Sequence, residues 1–259
     1  MSTQNQDGSA TPIKKKSTSE TGHAINVASF KLLLPIVERY GGKYAPANPN
    51  LTIDALKKLL VNGQKAIADC NAAETNFDVA TDSRADLYKQ LRPLSMRAVN
   101  SFRSSGVPKS AKEGADTIVH KIQGRPSNIK KKDVLSNGGD AAESISNSQQ
   151  SYVQLAEHLK SLTDLFVMYP QYAPTEEDLQ TAALSSFNNK LNGSTDTINA
   201  AISTWNGARQ FRNATLYTPE TGLVDVALRV KEYVASIYSN TSPEYKEIRK
   251  LKFRNIKDR

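Results

Sequence analysis

Apolar residues recur along this chain at alternating steps of three and four. Leu56, Leu59, Gly63, Ala66, Cys70, Ala73, Phe77 and Ala80 form one such row. Leu184, Phe187, Leu191, Ser194, Ile198, Ala201, Trp205 and Ala208 form a second, each member at an offset of 128 from its counterpart. This spacing puts each row on one stripe of a helix. Each stripe covers roughly 25 residues, or about 37 Å of helix at 1.5 Å per residue. An average step of 3.5 favours a shallow, coiled-coil-like crossing with a neighbour. Small residues alternate with large ones, so backbones can approach closely where the row is small. Strand-like alternation is scarce, and the implied fold class is all-α.

The two rows belong to a longer internal match. Tyr44-Ala45-Pro46 and Tyr172-Ala173-Pro174 open it, and Leu51/Leu179, Leu56/Leu184 and Arg84/Arg212 continue it at the same offset. Leu87-Tyr88 and Leu216-Tyr217 match at 129, then Val99/Val234, Phe102/Ile237 and Pro108/Pro243 at 135. The second copy therefore carries about six extra residues between its second and third helices, a connection that tolerates insertion. In the first copy the pattern predicts helices over 20–40, from a Thr52 cap to about 91, over 94–105 and over 109–123. Gly41-Gly42 ends the first of these, Pro35 should kink it, and Pro93 marks a break or kink. In the second copy it predicts helices over 140–168, from a Thr175 cap to a loop at 216–222, over 222–239 and over 243–257. Glu176, Glu177 and Asp178 suit the first turn after Thr175.

The chain thus reads as a tandem duplication of an antiparallel four-helix unit, with about eight helices in pseudo-two-fold related halves. Residues 1–19 are a disordered basic tail, 20–123 the first repeat, 124–139 a basic flexible linker and 140–259 the second repeat. Two arrangements fit this division. Two adjacent four-helix bundles, closely packed, are favoured; the other is a single eight-helix body about a pseudo-two-fold axis.

Composition adds little to the fold and more to the partners. The 259 residues are 38% hydrophobic and 23% charged, as in a globular protein. The net charge of +8 is uneven. It gathers in the tail with Lys14, Lys15 and Lys16, in the linker with Arg125, Lys130, Lys131 and Lys132, and in the last helix. There seven bases between Lys246 and Arg259 face only Glu244, Glu247 and Asp258. The rest of the chain is near neutral. The N-terminus has no secretory pattern, and the longest apolar run, Leu32–Val37, is far too short to span a bilayer. A soluble, cytoplasmic protein without membrane insertion is expected. Cys70 is the single cysteine, so no intramolecular disulfide can form. Its repeat partner is Ile198, which suits a small buried hydrophobe.

No spacing points to a reaction. His23, His120 and His158 lack metal-ligand spacing, and Glu20-x-x-His23 has no second copy to complete a di-iron set. Gly-rich phosphate loops are absent. No catalytic residue, metal or cofactor is assigned, and the chain is expected not to be an enzyme. Arg84 and Arg212 hold matching positions near the ends of long helices, and with Tyr44 and Tyr172 they are the candidate repeat-equivalent surface positions. Each arginine suits a helix-terminal salt bridge or carbonyl cap, or alternatively an anion. Tyr44 and Tyr172 suit the packing of helix corners, with the hydroxyl reaching water or a loop carbonyl. Lys130, Lys131, Lys132, Arg249, Lys250, Lys252 and Arg254 are the candidate anion contacts, the last four on a helix whose Tyr245, Ile248, Leu251, Phe253 and Ile256 form an apolar side. The expected function is a non-catalytic structural or protein-interaction protein that binds another protein or itself. The alternative is nonspecific binding of nucleic acid, or another polyanion, through tail, linker and last helix.

Overall fold

Every regular element of the computed structural model, which describes residues 18–125 and 150–256, is helical. The seven α-helices among the described residues are α1 (Thr18–Glu38), α2 (Ile53–Ser104), α3 (Lys109–Gln123), α4 (Tyr152–Val167), α5 (Thr181–Tyr217), α6 (Leu223–Tyr238) and α7 (Pro243–Arg249). None is long and apolar enough to cross a membrane. Most of the expected tail, and the linker apart from Gly124 and Arg125, lie outside the described residues.

The rows of small and large apolar residues do turn inward. Leu56, Gly63, Ala66, Cys70 and Ala73 of α2 are buried, as are Leu184, Leu191 and Ile198 of α5. The remaining members of both rows are half-buried. Gly63 marks a close approach: a Cβ there would lie 2.9 Å from Leu223 Cδ1 and 3.4 Å from Val27 Cγ2.

Three expectations are corrected. No break falls at Pro93, because α2 runs unbroken through it. Leu91 on one side and Ala98, Val99 and Phe102 on the other are buried. That packing outweighs a propensity cost of about 3 kcal/mol for an interior proline. The carbonyl of Arg92, next to Pro93, accepts from Ser95 Oγ and from Gln123 Nε2, each at 3.0 Å. In the second copy Thr218-Pro219-Glu220-Thr221-Gly222 does separate α5 from α6, so the helix count falls by one in the first copy alone. Secondly, α5 starts at Thr181 and not after Thr175. The acids Glu177 and Asp178 lie in a separate 3₁₀ turn, Glu177–Leu179. Its counterpart Pro49–Leu51 precedes α2, where Thr52 does cap: its hydroxyl accepts from Ala55 N–H at 3.4 Å. Thirdly, α7 ends at Arg249 instead of running to 257.

The chain divides into two compact units. The first holds the described residues up to Ala73 together with those from Trp205 onward; the second runs from Glu74 to Thr204. Neither coincides with one sequence copy, and α2 and α5 each supply residues to both. The first unit is filled by Val27, Phe30, Leu33 and Val37 of α1, Leu56 of α2, Leu216 of α5, Leu223, Val230 and Val234 of α6, and Ile248 of α7. The second is filled by Leu91, Val99 and Phe102 of α2, Val119 and Ile122 of α3, Leu159, Leu162 and Phe166 of α4, and Leu184 and Leu191 of α5.

Candidate functional site

The densest run of bases in the described chain lies on α7 and the segment 250–256 after it, within the first unit. Ser242 starts α7, its hydroxyl accepting from Tyr245 N–H at 3.0 Å, and Pro243 fits the first helical turn. Ile248 is fully buried and anchors the helix. Lys246, Arg249 and Lys250 stand three and four positions apart, a like-charge spacing that disfavours further helix. Beyond Arg249 the chain is held as a strap by side chains of α1 and α6.

Asn26 does most of the holding. It is buried on α1, and it grips the backbone of Arg254 from both sides. Its Nδ2 donates to the carbonyl of Arg254 at 2.7 Å, and its Oδ1 accepts from the Arg254 N–H at 2.9 Å. Asn26 Nδ2 also approaches Tyr217 Oη at 3.1 Å, and His23 Nδ1 lies 2.6 Å from the same hydroxyl. Lys231 of α6 donates to the carbonyl of Leu251 and sits 5.0 Å from the centre of the Phe253 ring. Burial pushes the Lys231 ammonium below its usual range. Ile256 packs so closely on Gly22 that a Cβ there would overlap its Cδ1.

These contacts use the backbone and the apolar side chains of the strap and leave its charged ends outside. Lys246, Arg249, Lys250, Lys252 and Arg254 are all exposed, and none forms an ion pair with a described residue. Of the two nearby acids, Glu247 is engaged by Arg39 Nη2, at 2.6 and 2.7 Å from its two oxygens. The carboxylate hydrogen bond and charge raise the pKa of that guanidinium. The result is five exposed cations carried within nine residues on a backbone pinned to the unit.

No family model, curated protein or solved structure matches this chain.

The other residues singled out in the sequence are scattered. Lys130, Lys131 and Lys132 lie outside the described residues. Arg212, 1% exposed, is in the first unit with its Nη1 at 3.4 Å from Cys70 Sγ and its Nε and Nη2 on Asn213 Oδ1 at 3.1 and 2.9 Å. Arg84 is half-buried in the second unit, its guanidinium 4.2 Å from the centre of the Tyr152 ring. Tyr44 and Tyr172 sit at corresponding corners. The Tyr44 hydroxyl donates to the carbonyl of Leu51 at 2.8 Å, and the Tyr172 hydroxyl to that of Leu179 at 2.7 Å.

His23 lies in the first unit, and His120 and His158 lie in the second. His158 Nε2 and, one turn earlier on α4, Gln154 Oε1 are buried without a hydrogen-bond partner. Burial, and then the charge of Lys121, push the His158 imidazole pKa down. Among the described residues no three His, Cys, Asp or Glu side chains gather as metal ligands would. A shallow groove of about 220 Å³ in the first unit has Asn50, Lys58, Asn62 and Thr221 as its polar lining.

Asn26, Lys231 and Gly22 were not singled out from the sequence. A signal for the first existed. His23, Asn26, Phe30, Leu33 and Val37 continue one 3–4 row, so two polar residues stand at core positions. Nothing local marks Lys231 as the residue that turns inward.

Proposed function

We propose that this is a non-catalytic structural and protein-interaction protein, cytoplasmic, built by tandem duplication of a four-helix unit. One observation carries the proposal: polar side chains that could serve chemistry are committed to the main chain. Tyr44, Tyr172, Asn26, Lys231, Tyr40 and Tyr88 all donate to backbone carbonyls in the described structure. Hydrogen bonds of this kind fix turns, corners and termini. The duplication is supported by the corners. The 3₁₀ turns at 49–51 and 177–179, the starts of α2 and α5, and the two Tyr-to-carbonyl bonds all recur at the offset that relates the two apolar rows. The test is recovery from a native lysate with and without nuclease. A specific protein, or a second copy of this chain, retained after nuclease is the expected result. Nucleic acid as the sole bound material would overturn it.

A second function is favoured by the strap: nonspecific binding of a polyanion, with nucleic acid as the natural class. A pinned backbone carrying exposed bases meets phosphates without first having to be ordered. The side chain of Arg254 can be replaced without touching the Asn26 lock, which uses only its backbone. Affinity for a duplex DNA oligonucleotide should weaken linearly with the logarithm of salt, by about one unit of slope per phosphate contact. In the variant R249Q/K250Q/K252Q/R254Q the slope should fall by about three to four units. Binding that ignores salt, or a variant that keeps the full slope, would exclude this function.

A further inference from the structure

Each compact unit is assembled from both sequence copies, and the contacts inside one unit recur in the other with the copies interchanged. In the first unit α1 comes from the first copy and closes against the end of α5 and α6 from the second. In the second unit α4, the first described helix of the second copy, closes against the end of α2 and α3 from the first.

Ring contacts show the interchange residue by residue. His23 on α1 packs against Tyr217 on α5, with centroids 5.4 Å apart. Tyr152 on α4 packs against Tyr88 on α2, at 4.6 Å. The pairs His23/Tyr152 and Tyr88/Tyr217 share one offset, 129. The same exchange is visible at the other end of these helices. Tyr40 packs on Tyr238 of α6 at 5.1 Å, while its counterpart at that offset, Tyr169, packs at 5.6 Å on Phe102 of α2, whose counterpart Ile237 adjoins Tyr238. The inward rows agree. Phe30, Leu33 and Val37 fill the first unit, and Leu159, Leu162 and Phe166, again at that offset, fill the second.

We infer that the two halves of this chain are reciprocal binding partners, joined as two exchanged subunits of a dimer would be. The equivalence of the two interfaces rests on the duplication proposed above, whereas the completion of each core by both halves is read from the contacts alone. Neither half completes a core from its own residues. The surface that α1 and the start of α2 present is complementary to the end of α5, α6 and α7, and the converse surface to the end of α2, α3 and α4. A half released from its partner would therefore seek either the other half or a second copy of itself.

The full-length protein provides the test, with a protease site inserted between Gly138 and Gly139. After cleavage of the folded protein the two fragments should elute together at the position of the intact chain and keep its helical circular dichroism. Their thermal midpoint should now rise with protein concentration, because unfolding has become dissociation. The fragments are then separated in denaturant and refolded singly and together. Remixing should restore the particle. A fragment that refolds alone into a stable helical monomer would overturn the exchange. If each fragment alone forms a helical homodimer, both the exchange and the equivalence of the copies stand. If the fragments fold only when mixed, the exchange stands and the duplication falls.

Discussion

Tyr44 and Tyr172 each close a corner by giving a hydroxyl to a carbonyl seven residues ahead. Burial, helped by Glu176 and Asp178, pushes the Tyr172 hydroxyl up to about 12, and burial beside Tyr233 pushes that of Tyr44 higher still. Both therefore stay protonated, and stay donors, across the physiological range. A folded pKa above the unfolded value of about 10 gives stability that is intact below pH 10 and is lost as pH rises toward the folded pKa. Tyr172→Phe should cost about 1–3 kcal/mol at pH 7, the range for removing one partner of a buried hydrogen bond. Tyr44→Phe should cost a similar amount. Urea titrations at pH 7 and pH 11 check both parts: the gap between wild type and Tyr172→Phe should narrow at the higher pH. An unchanged gap would mean that the hydroxyl does not hold its proton in the fold. The corner tyrosines were legible from the repeated Tyr-Ala-Pro triplets; Asn26 was not, since a lone amide in an apolar row does not name its partner.

Helices were legible where the cause was local, except that the cap signal at Thr175 marks a 3₁₀ turn and not the start of α5. The 3–4 rows, the Gly41-Gly42 stop and the Pro-Glu-Thr-Gly loop all act over a few residues. The continuity of α2 through Pro93 and the length of α7 depend on distant residues: Leu91 and Phe102 share a core with Val119 of α3 and Phe166 of α4, and Asn26 and Lys231 take the backbone that would have continued α7. The same contrast separates two glycines inside helices. At Gly207 of α5 no atom lies within 4 Å of a new Cβ, so Gly207→Ala should stabilise by about 0.4–1 kcal/mol through the unfolded state. At Gly63 the new methyl would press on Leu223, which is fully buried and has little room to turn. Overpacking costs about 1–3 kcal/mol and outweighs the helix gain. Gly63→Ala should therefore lower the thermal midpoint while Gly207→Ala raises it. Equal shifts in one direction would show that propensity, and not the close approach to α6, governs Gly63.

At the scale of the molecule the sequence hides which helices share a core. The two parts of the sequence offer similar rows, Leu56 beside Leu184 and Val99 beside Val234, so periodicity cannot assign a stripe to its partner. The division into units, with residues up to Ala73 beside those from Trp205, depends on pairings far apart in the chain. One consequence is that damage at the C-terminus should be felt by residues near the N-terminus. A chain ending at Lys250 removes the strap. Asn26 then loses the Arg254 backbone, Lys231 loses the Leu251 carbonyl, and the face of α1 at Gly22 loses Ile256. All three losses fall in the first unit, whose Trp205 is the single tryptophan. Each broken hydrogen bond carries about 1 kcal/mol, more where a buried polar group is left unpaired. Urea unfolding followed by Trp205 fluorescence should shift to lower urea more than unfolding followed by far-UV circular dichroism, which reports both units. The gap between the two midpoints should therefore widen relative to the full-length chain, since non-coincident probes mark units that no longer unfold as one. Equal shifts by both probes would mean that the strap's contribution is shared through α2 and α5 and not confined to the unit it touches.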